Sequence, residues 1–301
     1  MRIVIDTDPG VDDMVAILAA LAEPGFDIAG ITTVGGNVSL AAATRNALRI
    51  LAMAGRDDVP VYMGAESALD ASARHVHGED GLGGCDWPEA TFGAKPSAAV
   101  SFLGGMRSRY TLACLGPLTN IAGLLRERLD AAASIDRIVL MGGGFGTHSF
   151  STPSRVVHSQ GNVVPDAEFN IHTDPEAARA VFSPGIPVTV MPLDVSHQTL
   201  VSRERLDGLD GRVGRAVAPV LDRYGEFSRA RWGHHSGPLH DPNVLAHLAD
   251  GGLHEGQRGE VSVSAGGKTT LVESADGPHT VMTRVDAGGY LDWVWQRLAR
   301  L

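Results

Sequence analysis

The sequence predicts an α/β protein: a single domain over residues 1–301, with a Rossmann-like, mostly parallel sheet and helices on both faces. Three observations point there. Short apolar runs alternate with helical patterns along the chain, the rhythm of strand–helix–strand units. Those runs are continuous rather than alternating, as strands buried on both faces require. The 37 glycines suit the many tight turns between such elements.

The elements follow in order. "RIVI" (2–5) leads into helical "DDMVAILAALA" (12–22), and "DIAGITTV" (27–34) into "SLAAATRNALRILAMAG" (39–55). "YTLACL" (110–115) precedes "PLTNIAGLLRERL" (117–129), and two further strands read as "IDRIVLM" (135–141) and "IPVTVM" (186–191). Residues 212–232 form another helix with a bend expected at Pro219. "GEVSVSAGGKTTLVES" (259–274) reads as a hairpin with a Gly-Gly turn, and residues 279–301 as a last strand and helix. The long irregular piece is 145–168, rich in Ser, Gly and His; a loop of that length is usually functional or mobile.

Composition narrows the function. With 44% hydrophobic and 20% charged residues the chain shows none of the depletion that marks disorder. A net charge of −10 argues against a nucleic-acid partner, which favours a basic face, but not against an uncharged nucleoside or sugar. Cys85 and Cys114 lack CxxC spacing, which excludes a thiolate metal site and a disulfide framework. The start "MRIVIDTD" lacks the apolar stretch of a signal peptide, and no segment approaches about 18 uninterrupted apolar residues. No membrane span and a cytoplasmic location are therefore expected.

In a doubly wound sheet ligands bind at the carboxyl ends of strands. There lies "DTDPGVDD" (6–13), which crowds Asp6, Asp8, Asp12 and Asp13 into one strand–helix turn. Helix capping accounts for one or two acids at such a place, but not four. A hard cation, Mg²⁺ or Ca²⁺, is the natural resolver of the repulsion. Asp241, in "LHDP" (239–242), fits an N-cap equally well, and His240 beside it titrates near neutrality. Asn162, Glu168 and Asn170 in "GNVVPDAEFN" (161–170) also suit turn chemistry, and "GGN" (35–37) and "LGPLTN" (115–120) are strand-end turns. His75 and His77 lack the further His or Cys that zinc requires. "MGGGFG" (141–146) is not a dinucleotide fingerprint, "GHHSG" (233–237) is not a nucleophile elbow, and no P-loop occurs.

Together DTDPGVDD, GGN, HGEDGL (77–82), GPLTN (116–120), the MGGG turn, GNVVPDAEFN with DP at 174–175, and HDP (240–242) resemble the inosine–uridine-preferring nucleoside hydrolases, from the first strand to residue 242. The resemblance implies the nucleoside hydrolase fold, commonly as a homo-oligomeric dimer or tetramer. It implies Ca²⁺-dependent hydrolysis of the N-glycosidic bond of ribonucleosides, purine or pyrimidine, as in base salvage. Asp8, Asp13 and Asp241 would ligate the ion through side chains and Leu115 through its carbonyl. Asp8 would double as base toward a metal-bound water, and Asp12 would accept from the ribose 2′-hydroxyl. Asn37, Asn162, Glu168 and Asn170 would hold the other ribose hydroxyls. His240 is the group available to the departing base, with His77 near the base or the 5′ side. Phe169, Tyr224 and Trp232 are candidate stacking partners for the base.

Counting Asp13 as bidentate, five protein oxygens with a water and two ribose hydroxyls give about eight ligands, the top of the Ca²⁺ range and too many for Mg²⁺. A ring of carboxylates also suits the oxocarbenium-like sugar that develops as the bond breaks. The loop after MGGG departs from the family's shorter connection and carries His148 and His158, so base preference does not carry over. Two alternatives stay open, hydrolysis of a nonstandard N-riboside and a non-catalytic calcium-dependent ribose- or nucleoside-binding protein; a third is set aside, a haloacid-dehalogenase-like phosphatase. The last also begins with a strand and DxD, but here Pro9-Gly10-Val11 follows, and no lysine occurs before Lys95.

Overall fold

The computed structural model describes residues 1–68, 74–152, 155–183, 185–232 and 237–301, with the side chains at 74, 75, 129 and 230–232 outside the description. Its strands are β1 (Arg2–Thr7), β2 (Asp27–Thr33), β3 (Val61–Met63), β4 (Tyr110–Cys114), β5 (Ile135–Met141), β6 (Ser149–Ser151), β7 (Val156–His158), β8 (Val188–Met191), β9 (His254–Val263), β10 (Thr269–Glu273) and β11 (His279–Val285). The helices are α1 (Val11–Leu21), α2 (Leu40–Ala54), α3 (Arg74–His77), α4 (Ala99–Gly105), α5 (Thr119–Glu127), α6 (Phe169–Thr173), α7 (Pro175–Val181), α8 (Leu193–Ser196), α9 (Arg203–Asp207), α10 (Gly211–Trp232), α11 (Pro242–Ala249) and α12 (Ala287–Leu298).

A nine-stranded sheet runs in the order β10-β9-β11-β8-β5-β4-β1-β2-β3. From β11 to β3 every neighbouring pair is parallel, while β9 and β10 extend that edge antiparallel. The predicted mostly parallel sheet is present, and its reversal of direction falls beside β1. The chain winds outward through β2 and β3, then returns to place β4 on β1's other side. That switch point opens a crevice at the carboxyl ends of β1 and β4.

Alternation along β1 sorts its residues between two cores. Ile3 and Ile5 join a cluster with α1, α10, α11 and α12, whereas Val4 joins one built with α5 and α7. All eleven residues of α1 are buried, so it is a core helix with no solvated face. Burying a side chain such as Ile17 or Leu18 contributes roughly 1.5–3 kcal/mol. This apolar frame holds the charged first turn of α1 under the crevice.

One expectation changes in detail. Residues 145–168 contain order: β6 and β7 pair antiparallel, with Ser149, Phe150 and Ser151 opposite His158, Val157 and Val156. Pro219 lies inside a continuous α10. The hairpin at 259–274 forms as expected, with Thr269 opposite Val263.

Candidate active site

Four aspartates converge on the crevice, each delivered by a different local device. Asp8 follows β1, in a space that only glycine neighbours permit: a Cβ at Gly36 or at Gly116 would collide with its carboxylate. Its Oδ2 accepts from the Asn37 backbone N–H at 2.7 Å, while Oδ1 is buried with no hydrogen-bond partner. Asp13, in the first turn of α1, accepts from Thr7 Oγ1 (2.5 Å), the Gly10 N–H (2.9 Å) and Asn37 Nδ2 (3.1 Å). Asn37 thus braces Asp8 and Asp13 together. Asp12 receives the backbone N–H groups of His240 and Asp241, which ties α1 to the HDP turn before α11.

Carboxylate oxygens of Asp12, Asp13 and Asp241 lie within 4.8 Å of one another, and all three residues are buried. Asp8 stands outside that set of mutually close oxygens but within electrostatic reach of all three. Burial, then the charges of Asp13 and Asp12, push the Asp8 pKa well above the usual carboxylate range. Burial and Asp13 raise Asp12 to about 7, and burial with Asp12, Asp13 and Asp8 drives Asp241 well upward. Groups so placed must either hold protons or share a cation. The buried, unpartnered Asp8 Oδ1 and the all-oxygen donor set fit a hard divalent ion.

Leu115 follows β4 beside this cluster, its N–H bonded to the Asp6 carbonyl (2.7 Å). Its own carbonyl accepts from Asn170 Nδ2 at 2.7 Å, and the same amide reaches the Met141 carbonyl at 3.2 Å. Both Asn170 donors are thereby used on main chain, which leaves its Oδ1 as the atom for a ligand. Glu168 caps α6: it accepts from the Asn170 (2.9 Å), Gly143 (3.0 Å) and Ile171 (3.1 Å) N–H groups. Burial raises its pKa to about 7 despite those donors. Asn162 Oδ1 accepts from the Phe169 N–H at 2.9 Å, so this asparagine also shapes the turn.

Asp6 points to the α5 side, where Thr32 Oγ1 (2.5 Å) and Asn120 Nδ2 (2.8 Å) donate to its Oδ1. Burial lifts its pKa to about 6. It is a brace beneath the site, binding β1 to β2 and α5.

His77 Nδ1 accepts from the Val11 N–H (3.1 Å), so its proton sits on Nε2, and Nδ1 lies 3.9 Å from Asp12. Its ring stacks on Tyr224 with centroids 5.7 Å apart. Both rings line a cavity of about 350 Å³ with Val11, Val220 and Phe227. Phe169 is half-buried at the start of α6. The Trp232 and His75 side chains and residues 233–236 of the GHHSG stretch lie outside the described residues.

The opposite flank joins His240, expected at the departing base, to Asp194, Ser196 and His197, which the sequence reading passed over. His240 Nδ1 is 2.7 Å from Ser196 Oγ, and its ring meets that of His197 edge-on at 5.7 Å. Burial lowers the His240 pKa to about 4, and burial with the charges of His240 and His148 lowers His197 well below its usual value. Asp194, one turn earlier, accepts from the Phe145 N–H (2.8 Å), the Thr147 N–H (2.5 Å) and Oγ1 (2.8 Å), and the His148 N–H (3.1 Å). These three residues fall in "PLDVSH", directly after β8. The strand-end rule that found the other turns, extended to "IPVTVM", would have found this one.

A family model described as inosine-uridine preferring nucleoside hydrolase matches residues 3–292. The chain is 37% identical to a pyrimidine-specific ribonucleoside hydrolase RihA of Photobacterium profundum over 317 residues, covering 99% of this chain and 98% of that protein. Among solved structures, a plant nucleoside hydrolase, PpNRh1, superposes with TM-score 0.89 at 30% identity, covering 100% of this chain and 99% of that one. A purine-preferring ribonucleoside hydrolase from Gardnerella vaginalis follows at TM-score 0.87 and 28% identity, covering 100% and 98%.

Proposed function

The chain belongs to the inosine–uridine preferring nucleoside hydrolase family and is a ribonucleoside hydrolase, an enzyme that cuts N-glycosidic bonds; from that premise we propose that it works with one Ca²⁺ per site, with Asp8 as the base. The observation that carries the reading is the Asp8 carboxylate, which keeps one buried oxygen without a partner beside three carboxylates that repel one another. Asp8, Asp13, Asp241 and the Leu115 carbonyl would hold the ion. When bound it would acidify a water and orient the ribose diol. No helix among the described residues is long and apolar enough to cross a membrane.

The chain's own residues do the rest. Asp8 accepts the proton of the attacking water while the bond from the anomeric carbon to the base nitrogen breaks. The electron pair leaves with the base, which must gain a proton or a hydrogen bond, and His240 stands next to Asp241 for that purpose. Asp12 accepts from the 2′-hydroxyl. Asn37, Asn162, Glu168 through its remaining lone pair, and Asn170 through Oδ1 bound the ribose. The buried carboxylates favour the positive charge that grows on the sugar ring. Named relatives include both a pyrimidine-specific and a purine-preferring enzyme, so base choice rests with groups outside this ribose cage.

The test is release of base from inosine, adenosine, uridine and cytidine, with and without a chelator, followed by add-back of Ca²⁺ or Mg²⁺. Loss with chelator and recovery with Ca²⁺ alone supports the proposal. Full activity in chelator, or recovery with Mg²⁺ alone, refutes the calcium assignment.

A further inference from the structure

The 145–160 segment is built onto His240 rather than laid loosely over the surface. Its base is fixed by the four bonds to Asp194, and by the Ser159 N–H on the His148 carbonyl (3.0 Å). Beyond that base, β6 carries Phe150 edge-on against the His197 ring, centroids 5.3 Å apart and planes at 78°. Ser159, fully buried, contributes its Oγ to His197 Nδ1 at 2.8 Å. His197 then meets His240 at 5.7 Å and 63°, and Ser196 takes His240 Nδ1. The result is an unbroken series of contacts, Phe150–His197–His240, with both imidazoles pinned by buried serines. Planar rings in edge-to-face contact constrain one another's tilt.

We propose that the β6–β7 hairpin is the leaving-group determinant of this enzyme: Phe150 and Ser159 fix the His197 ring, and His197 fixes the edge that His240 turns toward the departing base. His197 and Phe150 are positioning residues, acting through His240. The proposal rests on His240 serving the leaving group and deepens that reading. Its chemistry commits to one kind of selectivity. A heteroaromatic base that needs a proton or hydrogen bond as it departs depends on the orientation of His240. A nitrophenyl riboside, whose nitrophenolate leaves as a stable anion, does not.

The experiment compares kcat and KM of the full chain and its variants on the four nucleosides and on the nitrophenyl riboside. Phe150→Ala and His197→Asn are expected to lower nucleoside kcat by about 10- to 100-fold, as misplacement of a reacting group does, and to leave nitrophenyl riboside turnover within about 3-fold. Phe150→Tyr, which keeps the ring, restores nucleoside turnover. His197→Asn keeps an amide for Ser159, so it separates loss of the ring from loss of the fold, and unfolding midpoints check both variants. Equal losses on both substrate types, or unchanged nucleoside turnover, overturn the proposal. His240→Ala serves as the reference. If it retains full nucleoside activity, the reading of His240 itself fails. If it loses activity while Phe150→Ala and His197→Asn do not, the hairpin proposal alone falls.

Discussion

The two flanks of the crevice are built on different principles. The β1 flank gathers four carboxylates whose mutual repulsion is the organising fact, and contiguous sequence supplies most of them. The β8 flank is built from imidazoles and serines, with the Asp194 carboxylate held by main-chain N–H groups, joined by hydrogen bonds and ring contacts across large sequence separations, such as Ser159 with His197 and Phe150 with His197. A hard cation needs several oxygens within a few ångströms, and one tight strand–helix turn provides them economically. Recognition of a departing base needs only a ring held at the right tilt, which many scaffolds can provide. On the function proposed here, the ribose end is therefore written in motifs, and the base end in packing.

The largest effect, and the most direct way to break this contrast, is Asp8→Asn. The isosteric amide keeps the Asn37 contact but removes the base, and a positioned general base is worth about 10²–10⁴-fold. Nucleoside and nitrophenyl riboside turnover should fall together by about 10³-fold with the fold intact by circular dichroism. Near-normal turnover would mean that the β1 flank does not supply the base.

The next effect separates charge from packing through pH. Asp6 and Asp12 have folded pKa values of about 6 and about 7, above the unfolded 3.8. For carboxyls shifted upward, the stabilising form is the protonated one. Their contribution is complete below about pH 4 and is lost as pH rises through 6 to 7. Metal-free protein should thus lose stability over that interval, and Ca²⁺ should restore it. At a hundred times its dissociation constant a ligand adds about 2.7 kcal/mol. The rise in unfolding midpoint on adding Ca²⁺ should be larger at pH 8 than at pH 5, where protons compete for the same oxygens. Equal rises at both pH values would contradict a carboxylate-held ion.

This contrast also explains what could be read beforehand. The parallel sheet followed from apolar runs and the crowding of Asp8, Asp12 and Asp13 from like charges at one strand end, whereas Asp241 joined them only through the family resemblance. The particular bonds of Asn37, Asn170 and Glu168 did not, because they reach groups that only the tertiary fold brings near: the Asp8 and Asp13 carboxylates for Asn37, the Leu115 and Met141 carbonyls for Asn170, and the Gly143 N–H for Glu168. Glu168 was read as a ribose contact, yet three of its acceptor sites are taken by N–H groups of α6 and the MGGG turn. The ordered hairpin was hidden for another reason. Its strands span three residues each, and the stretch leading into them, Phe145 to His148, is held by Asp194, 46 or more residues further along the chain. No local periodicity can announce such a brace.

Asn170 offers a smaller and sharper test of the ribose flank. Its amide anchors the Leu115 carbonyl, and outer partners of metal ligands typically govern about 10- to 100-fold in affinity. Asn170→Ala should therefore weaken Ca²⁺ binding by about 10-fold, measured by calorimetric titration without substrate. An unchanged affinity with a raised KM would assign Asn170 to the ribose alone.

The smallest predicted effect concerns the turn where the two flanks meet. Two donors serve the Leu239 carbonyl, immediately before His240 and Asp241: Tyr290 Oη (2.9 Å) and Asn243 Nδ2 (2.9 Å), while Thr199 Oγ1 turns its one hydrogen to the Ser196 carbonyl (2.8 Å). Tyr290→Phe removes one of them and leaves the ring in its buried site. A carbonyl that keeps the Asn243 donor is not orphaned, so the loss is one net hydrogen bond, about 1 kcal/mol. In a chain of 301 residues that lowers the unfolding midpoint by about 2 °C. Calcium affinity and nucleoside kcat should each move by less than about 3-fold, because a redundant donor set holds the turn. A tenfold fall in calcium affinity would show that Tyr290 alone sets the turn's position. A fall in nucleoside turnover with unchanged calcium affinity would instead place Tyr290 with the His197 relay. In that case α12, at the far end of the chain, would belong to the base flank of the crevice rather than to its frame.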